Sequence, residues 1–146
     1  MKKVLLALTA LFAVQAVSAQ TIFSCKVKSG KVARLEKIGG QYQYSFGKPG
    51  SPEITVKNSA NQVLSNRLTG RILYAYSASV SAAILNGQHT YVLHSYDSTK
   101  GDGSADIVVL KNNKKLAQLA CVDWHSDFDD AIINREADEA LVDLVR

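Results

Sequence analysis

The sequence has few cysteines and no long apolar run, and both shortages limit what the protein can be. Its 146 residues contain two cysteines, Cys25 and Cys121, and no C-x-x-C pair. A metal site needs more ligands than two cysteines supply, and a catalytic thiol is more often a lone cysteine beside a base. No apolar segment reaches the roughly 20 residues that a membrane-spanning helix needs, so we expect no stable membrane anchor.

The first nineteen residues have the three-part layout of a cleavable secretory signal peptide. Two lysines precede the apolar run Val4–Val14, and the small-residue signal Val17–Ala19 follows it. Cleavage after Ala19 leaves Gln20 as the first mature residue, and no cysteine stands there for lipoprotein processing. The sequence therefore predicts an exported, periplasmic protein.

Export changes the interpretation of the two cysteines. In an oxidising compartment a small, even number of cysteines most often forms disulfides. A bond between Cys25 and Cys121 closes nearly the whole mature domain into a ring, which the chain-entropy model values at about 4 to 5 kcal/mol. We therefore predict a structural disulfide between them.

Between the cysteines the apolar residues recur with period two, as in β-strands. Tyr42, Tyr44 and Phe46 alternate with polar residues and predict one buried strand face. Asn86-Gly87 and Asn112-Asn113 each separate two apolar runs and predict hairpins with type I′ turns. Residues 58–70 are polar without a clear period, and we interpret them as a long loop.

The pattern predicts a mainly β fold, an antiparallel β-sandwich or small β-barrel of about eight strands with a C-terminal amphipathic helix. The β-domain covers residues 20–124 and the helix residues 125–146. A closed sheet would bring its first and last strands together, so the disulfide would join them.

Charge is divided unevenly between these two parts. Residues 20–121 carry a net charge of about +8 and residues 122–146 about −6. Either the helix docks its apolar stripe on the sheet and exposes its carboxylates to solvent, or the acidic tail covers a basic surface or binds the partner. The basic residues are scattered and the predicted compartment lacks nucleic acid, so nucleic-acid binding is a poor fit.

Candidate metal ligands are present but have a simpler explanation. His125 lies among Asp123, Asp127, Asp129 and Asp130, which are suitable ligands for zinc or a hard cation. A helix N-cap followed by an acidic first turn explains the same residues. We predict no metal and no cofactor.

The serines near the middle of the chain suggest a recognition surface rather than a catalytic one. There is no G-x-S-x-G elbow, and the sequence shows no evident His and Asp partner for a serine nucleophile. Serines beside tyrosines and arginines resemble the polar and aromatic composition of interfaces. The candidate binding surface comprises Arg67, Arg71, Tyr74, Tyr76, Ser77 and Ser79.

Three segments carry a family resemblance: "YQYSFGKPGSPEI", "SASVSAAILNGQHTYVLHSY" and "VVLKNNKKLAQLAC". With them, residues 22–122 resemble a widespread group of small exported proteins of Gram-negative bacteria, which implies a fold and a compartment but no assigned activity. The chain is also similar, more weakly, to periplasmic inhibitors of C-type lysozyme, β-barrels with an early and a late cysteine.

Those inhibitors insert a serine-glycine loop and a lysine into the enzyme cleft. Here Val80 follows Ser79, so the glycine is missing. Lys100 precedes Gly101, and this resemblance adds Lys100 to the candidate binding surface.

Three function classes follow. The first is a binding protein that inhibits, or gives immunity against, a peptidoglycan-active hydrolase or toxin. The second is a non-catalytic envelope module that recognises glycan through its tyrosines. The third, an enzyme, is disfavoured because no nucleophile–base or metal set is apparent. The sequence indicates no oligomeric state.

Overall fold

Nine β-strands make up the regular structure of the described residues. The computed structural model describes residues 17–72, 75–98 and 101–128, and for residues 64–72, 75–78 and 98 it describes the backbone alone. This part of the chain contains no helix, and hence none long and apolar enough to cross a membrane. The strands are β1 (Ala19–Val27), β2 (Val32–Ile38), β3 (Gln41–Lys48), β4 (Ser51–Ser59), β5 (Leu64–Ile72), β6 (Ala75–Asn86), β7 (His89–Ser98), β8 (Ser104–Lys111) and β9 (Lys114–Ser126).

The strands form one antiparallel sheet in the order β4-β3-β2-β1-β9-β8-β7-β6-β5, curled into a half-barrel. Every neighbouring pair except β1–β9 is consecutive in the chain. The mainly β, barrel-like prediction is confirmed. His125 and Ser126, predicted to begin the helix, belong to β9, and residues 129–146 of the predicted helix lie outside the described residues, as do residues 1–16 of the predicted signal peptide.

The hairpins form where the sequence predicted them, but one turn differs in type. Asn112 and Asn113 have φ angles of 49° and 62°, as a type I′ turn requires. In the other hairpin Asn86 pairs with His89, so Gly87, with φ 60°, is the first central residue. Gln88 is the second and is not among the residues with positive φ, so this is a type II′ turn.

Two assignments between residues 58 and 85 were wrong. Of the loop predicted over residues 58–70, residues 58–59 belong to β4 and residues 64–70 to β5, whose lack of period fits a strand at the edge of the sheet. The runs "RILYAYSA" (71–78) and "SVSAAIL" (79–85) predict two separate strands, but β6 runs without interruption from Ala75 to Asn86. Leu73-Tyr74, which separates β5 from β6, carries none of the Gly, Pro, Asn or Asp residues that mark turns.

The core lies on the inner, concave face of the sheet. Tyr42 and Tyr44 are each 1% exposed, as the alternation in β3 predicted, and Phe46 packs against the same cluster. The ring of Tyr44 stacks on that of Tyr91, with centroids 4.8 Å apart. Burial, with the neighbouring Tyr91, raises the pKa of the Tyr44 phenol above its ordinary value.

Gly47 allows the β3–β4 hairpin to close tightly. A Cβ at this position would lie 2.5 Å from the backbone nitrogen of Glu53, so no other residue fits without moving the strand. Pro52 stands opposite Gly47, in β4. It is tolerated there because β4 is an edge strand of the sheet.

The first and last strands meet at the β1–β9 junction, and the predicted disulfide crosses it. Cys25 and Cys121 are bonded, with their Cα atoms 5.3 Å apart. Beyond the end of β9, the Asp127 N–H donates to the carbonyl of Ile22 at 2.7 Å. The ring of Phe128 then stacks on Phe23, with centroids 5.8 Å apart.

A second contact, the β4–β6 junction, joins strands that are not neighbours in the sheet. The Asn58 side chain donates from Nδ2 to the Leu85 carbonyl at 3.0 Å and accepts from the Leu85 N–H at 2.8 Å. One amide group thus satisfies both backbone groups of Leu85, as a neighbouring strand would. Asn58 itself is 4% exposed.

Candidate functional site

The predicted binding surface is only partly within the described residues. Tyr74 and Lys100 lie outside them. In the backbone register Arg67 pairs with Val80 and Arg71 with Tyr76. The described side chain of this set is that of Ser79.

Ser77 and Ser79 occupy the other alternate positions of β6, opposite Gly70 and Leu68. Because directly opposed residues share a face of the sheet, the register groups the two arginine positions with Tyr76 and separates them from the two serines. The backbone thus places these residues on the same two strands, but it puts the arginine positions and Tyr76 on one face of the sheet and the two serine positions on the other.

Ser79 is the first of a row of interacting polar side chains across the outer, convex face of β6–β9. Its Oγ lies 2.8 Å from Nε2 of His94. The other ring nitrogen of His94, Nδ1, lies 3.5 Å from Oδ1 of Asp106. Gln118 Nε2 donates to Asp106 Oδ2, and Lys115 donates to Oε1 of the same glutamine. We call Ser79, His94, Asp106 and Gln118 the outer-face network.

The Asp106 carboxylate is the charged centre of this network. Burial works against its ionisation, but the contacts with His94 and Gln118 and the nearby charge of Lys115 outweigh burial and hold the pKa of Asp106 below its ordinary value. Its Oδ1 is inaccessible to solvent and has no hydrogen-bond partner. The 3.5 Å separation from His94 exceeds the length of a good N–H···O bond.

Apolar side chains surround the network on the same face. They form a second buried cluster, separate from the main core, in which each member is at most 2% exposed: Ala83, Val92, Val108 and Leu110. Val92 precedes His94 by two residues in β7, and Val108 follows Asp106 by two residues in β8. Both valines therefore lie on the same face of the sheet as the network. The network therefore borders an environment of low polarity, where electrostatic contacts are stronger than in water.

Sequence reasoning missed this network although the signal was present. The Asn86–His89 turn fixes the register that places Ser81 opposite His94 and Ser79 one diagonal away. The β7–β8 register then places Asp106 opposite His94. Counting residue pairs outward from the β6–β7 turn would have brought the serine and the histidine together, whereas the pairing of Asp106 with His94 is set by the longer β7–β8 connection, for which the sequence marks no turn position. The expectation that no histidine or aspartate accompanies a serine was wrong for Ser79.

β9 carries most of the exposed apolar residues of the described strands. Leu116 is 59% exposed, Val122 60% and Trp124 39%, and we call these three residues the β9 ridge. Leu116 and Val122 are the extra residues of two bulges: Val109 pairs with Ala117 and Leu110 with Lys115, while Lys26 pairs with Asp123 and Val27 with Cys121. Bulges re-aim side chains and are frequent beside functional sites.

The Trp124 ring is held against the loop between β7 and β8. A Cβ on Gly103 would lie 3.2 Å from Cζ2 of Trp124 and 3.8 Å from Oδ1 of Asp97. Gly103 therefore leaves room for the indole beside an exposed carboxylate. The bulge at Val122 sets this position, because it puts Trp124 rather than Asp123 opposite Cys25.

A shallow groove of about 200 Å³ lies on the outer face of β2–β4. The turn at Pro49-Gly50 borders it, and its floor is polar: Arg34, Glu36, Gln43, Ser45 and Thr55. The groove is open, and its size suits a short polar side chain of a partner rather than an enclosed cofactor.

Several other sequence candidates lie apart from these surfaces. Tyr42, Tyr44 and Tyr91 are in the core, so these three tyrosines are not available for surface recognition. His125 is exposed on β9. In residues 17–72, 75–98 and 101–128 no group of three His, Cys, Asp or Glu side chains is arranged to hold a metal ion.

No protein-family model, curated protein or solved structure matches the chain.

Proposed function

We propose that the protein is an exported binding protein that inhibits, or gives immunity against, a peptidoglycan-active hydrolase such as a lysozyme or an amidase. The β9 ridge is the observation that carries this proposal. Protein interfaces are enriched in aromatic and apolar residues at their centre, and tryptophan is prominent among binding hot spots. Here two bulges and a half-exposed tryptophan present such residues on a single strand.

The ridge is rigid, which favours binding. β9 is paired with β8 along its first half and with β1 along its second half, and the Cys121 disulfide lies between Leu116 and Trp124. A preorganised surface loses little conformational entropy when a partner docks. The exposed Lys114 and Lys115 beside Leu116 favour a partner with carboxylates at the rim of its contact surface.

Export to the periplasm is part of the proposal, and the disulfide supports it. A bond between the only two cysteines of the chain is the type that persists in oxidising compartments. The predicted cleavage site after Ala19 lies at the start of β1, where Ala19 and Gln20 pair with Ile38 and Lys37. Cleavage there removes one residue from β1.

The proposal is tested by inhibition of a panel of peptidoglycan hydrolases with the purified protein. We expect one of them to be inhibited, and Trp124→Ala to weaken that inhibition by at least tenfold, the size of an ordinary hot-spot loss. Leu85→Ala is the matched control, because Leu85 is 38% exposed but lies on β6, away from the ridge. Equal loss in both variants, or no inhibition of any hydrolase, contradicts the proposal.

A second candidate, a non-catalytic glycan-binding module of the envelope, is favoured by Trp124 itself. A half-exposed indole beside the Asp97 carboxylate offers an apolar face and a hydrogen-bond acceptor to a sugar ring. Sedimentation with purified peptidoglycan separates the two candidates. Binding that Trp124→Ala abolishes, without inhibition of any hydrolase, supports the glycan module.

A further inference from the structure

We infer that Ser79 is a reactive nucleophile, with His94 as its general base, and that the outer face of β6–β8 accepts an acyl group from a carboxylic ester. This goes beyond the proposed binding function, which depends on β9. The inference rests on the distances within the outer-face network and on the order in which it joins a hydroxyl, an imidazole and a carboxylate.

The directions of the hydrogen bonds determine which nitrogen of His94 can act as the base. Asp106 is ionised, so its oxygens accept and do not donate. The ring nitrogen that faces it, at 3.5 Å, is Nδ1 of His94. A carboxylate on that side favours the tautomer whose proton is on Nδ1. In that tautomer Nε2 is an acceptor, and the Ser79 hydroxyl at 2.8 Å donates to it.

This arrangement activates the hydroxyl of Ser79. The Ser79 proton points at the acceptor nitrogen of an imidazole, and such an adjacent base is the requirement for activating a serine. Asp106 does not touch the reacting atoms: it orients His94 and stabilises the imidazolium that forms, so it is a positioning residue. Gln118 in turn donates a hydrogen bond to Oδ2, the second oxygen of Asp106.

Ser79 also meets the requirement of access. Ser79 is partly exposed, whereas Ser81, on the same strand face and opposite His94, is 3% exposed. The side chains of His94 and Asp106 are each 20% exposed. A small ester can therefore reach Ser79 from solvent, while the buried Val92 and Val108 lie beside the carboxylate–imidazole pair on the same face of the sheet.

The chemistry balances with water as the only co-reactant. Ser79 Oγ bonds to the ester carbonyl carbon as its proton passes to His94 Nε2. The carbonyl carbon then loses the alkoxide, which takes the proton from His94 and leaves as an alcohol. Water attacks the acyl-serine, gives its proton to His94 and releases the carboxylic acid, and that proton returns to Ser79.

General-base assistance is worth about 10²–10⁴ in rate, and the described site shows no donors aimed at an oxyanion. We therefore expect efficient reaction with strongly electrophilic probes rather than fast turnover. The first probe is a fluorophosphonate, with which the Ser79 Oγ–P bond forms, the P–F bond breaks and fluoride leaves with the serine proton. The second is 4-nitrophenyl acetate, which leaves an acetyl group on the protein.

The test is labelling of the purified protein, read by intact mass and peptide mapping. We expect one adduct on Ser79, none in Ser79→Ala, and unchanged labelling in the matched control Ser81→Ala. His94→Ala should label at least about 10²-fold more slowly and recover with added imidazole, which a variant that merely failed to fold would not do. Absence of labelling in the wild-type protein, equal labelling of Ser79→Ala, or an adduct at another residue overturns the inference.

The role of Asp106 has its own readout. In Asp106→Asn the carboxylate no longer fixes the tautomer, so the ¹⁵N shifts of the His94 ring should change from those of the Nδ1–H form and labelling should slow. Slower labelling with unchanged His94 shifts contradicts the positioning role. Inhibition of a hydrolase is measured on the same variants and should be unaffected, so this inference and the proposed function can fail separately.

Discussion

The β1–β9 junction and the β4–β6 junction both join strands that are distant in the chain, but they use different bonds. At the first, a ladder of backbone pairs is crossed by the disulfide and extended by Asp127 and Phe128. At the second, the side chain of Asn58 donates one hydrogen bond to the Leu85 carbonyl and accepts one from the Leu85 N–H. One junction is therefore covalent and repeated over several residues, whereas the hydrogen bonds described at the other involve the amide group of Asn58.

Removal of the disulfide should have the largest effect on stability. For Cys25→Ala combined with Cys121→Ala we expect the free energy of unfolding to fall by about 4 to 5 kcal/mol, because a loop that spans most of the domain is no longer closed in the unfolded chain. Denaturant unfolding measures the change. A reductant should destabilise the wild-type protein and leave the double variant unchanged, since no other cysteine exists. A loss below about 1 kcal/mol would contradict the comparison.

Asn58→Ala should have the next largest effect. It leaves the N–H and the carbonyl of Leu85 without their partners, and a loss of about 2 to 4 kcal/mol follows from two unsatisfied groups. Gln62→Ala is the matched control, because Gln62 bonds Ser59 in the same region but at the exposed surface. Similar losses in both variants would show that the β4–β6 junction has no special role.

The contribution of Asp106 to the pH dependence of the unfolding free energy should be smaller. It tests a contact in the part of the sheet between the two junctions. Because its pKa is lowered in the folded protein, Asp106 contributes stability above its unfolded pKa, and this contribution is lost as the pH falls below about 4. The difference in unfolding free energy between wild type and Asp106→Asn should therefore shrink on acidification. Neither the disulfide nor Asn58 titrates in this range, so a constant difference would contradict the assignment.

Much of the fold could be predicted because its signals are local. The β3 alternation placed Tyr42 and Tyr44 in the core, the two asparagine-rich turns fixed two hairpins, and the cysteines identified the strands that meet. β5 was missed because a polar edge strand has no apolar period. The β5–β6 connection was missed because Leu73-Tyr74 carries no turn chemistry.

The sites were harder to predict than the strands because they depend on long-range pairing. The side chain of Asn58 meets Leu85 only once β4 lies beside the end of β6. The β9 bulges, which expose Leu116 and Val122, appear only when β9 is aligned with β8 and β1. Of the outer-face network, the approach of Ser79 to His94 was within reach, since the β6–β7 turn determines that register, whereas the position of Asp106 depends on the longer β7–β8 connection.

The place of β9 in the sheet has a consequence for how the protein matures. β1 leaves the translocation or synthesis machinery first, yet one of its two edges stays unpaired until the last strand, ending at Ser126, has also emerged. Folding is therefore completed only after nearly the entire chain has been released, and a chaperone that shields the bare edge of the opening strand would act during that delay. A chain truncated before Lys114 lacks the strand that joins its two halves, so it should persist as an aggregation-prone intermediate rather than a smaller domain.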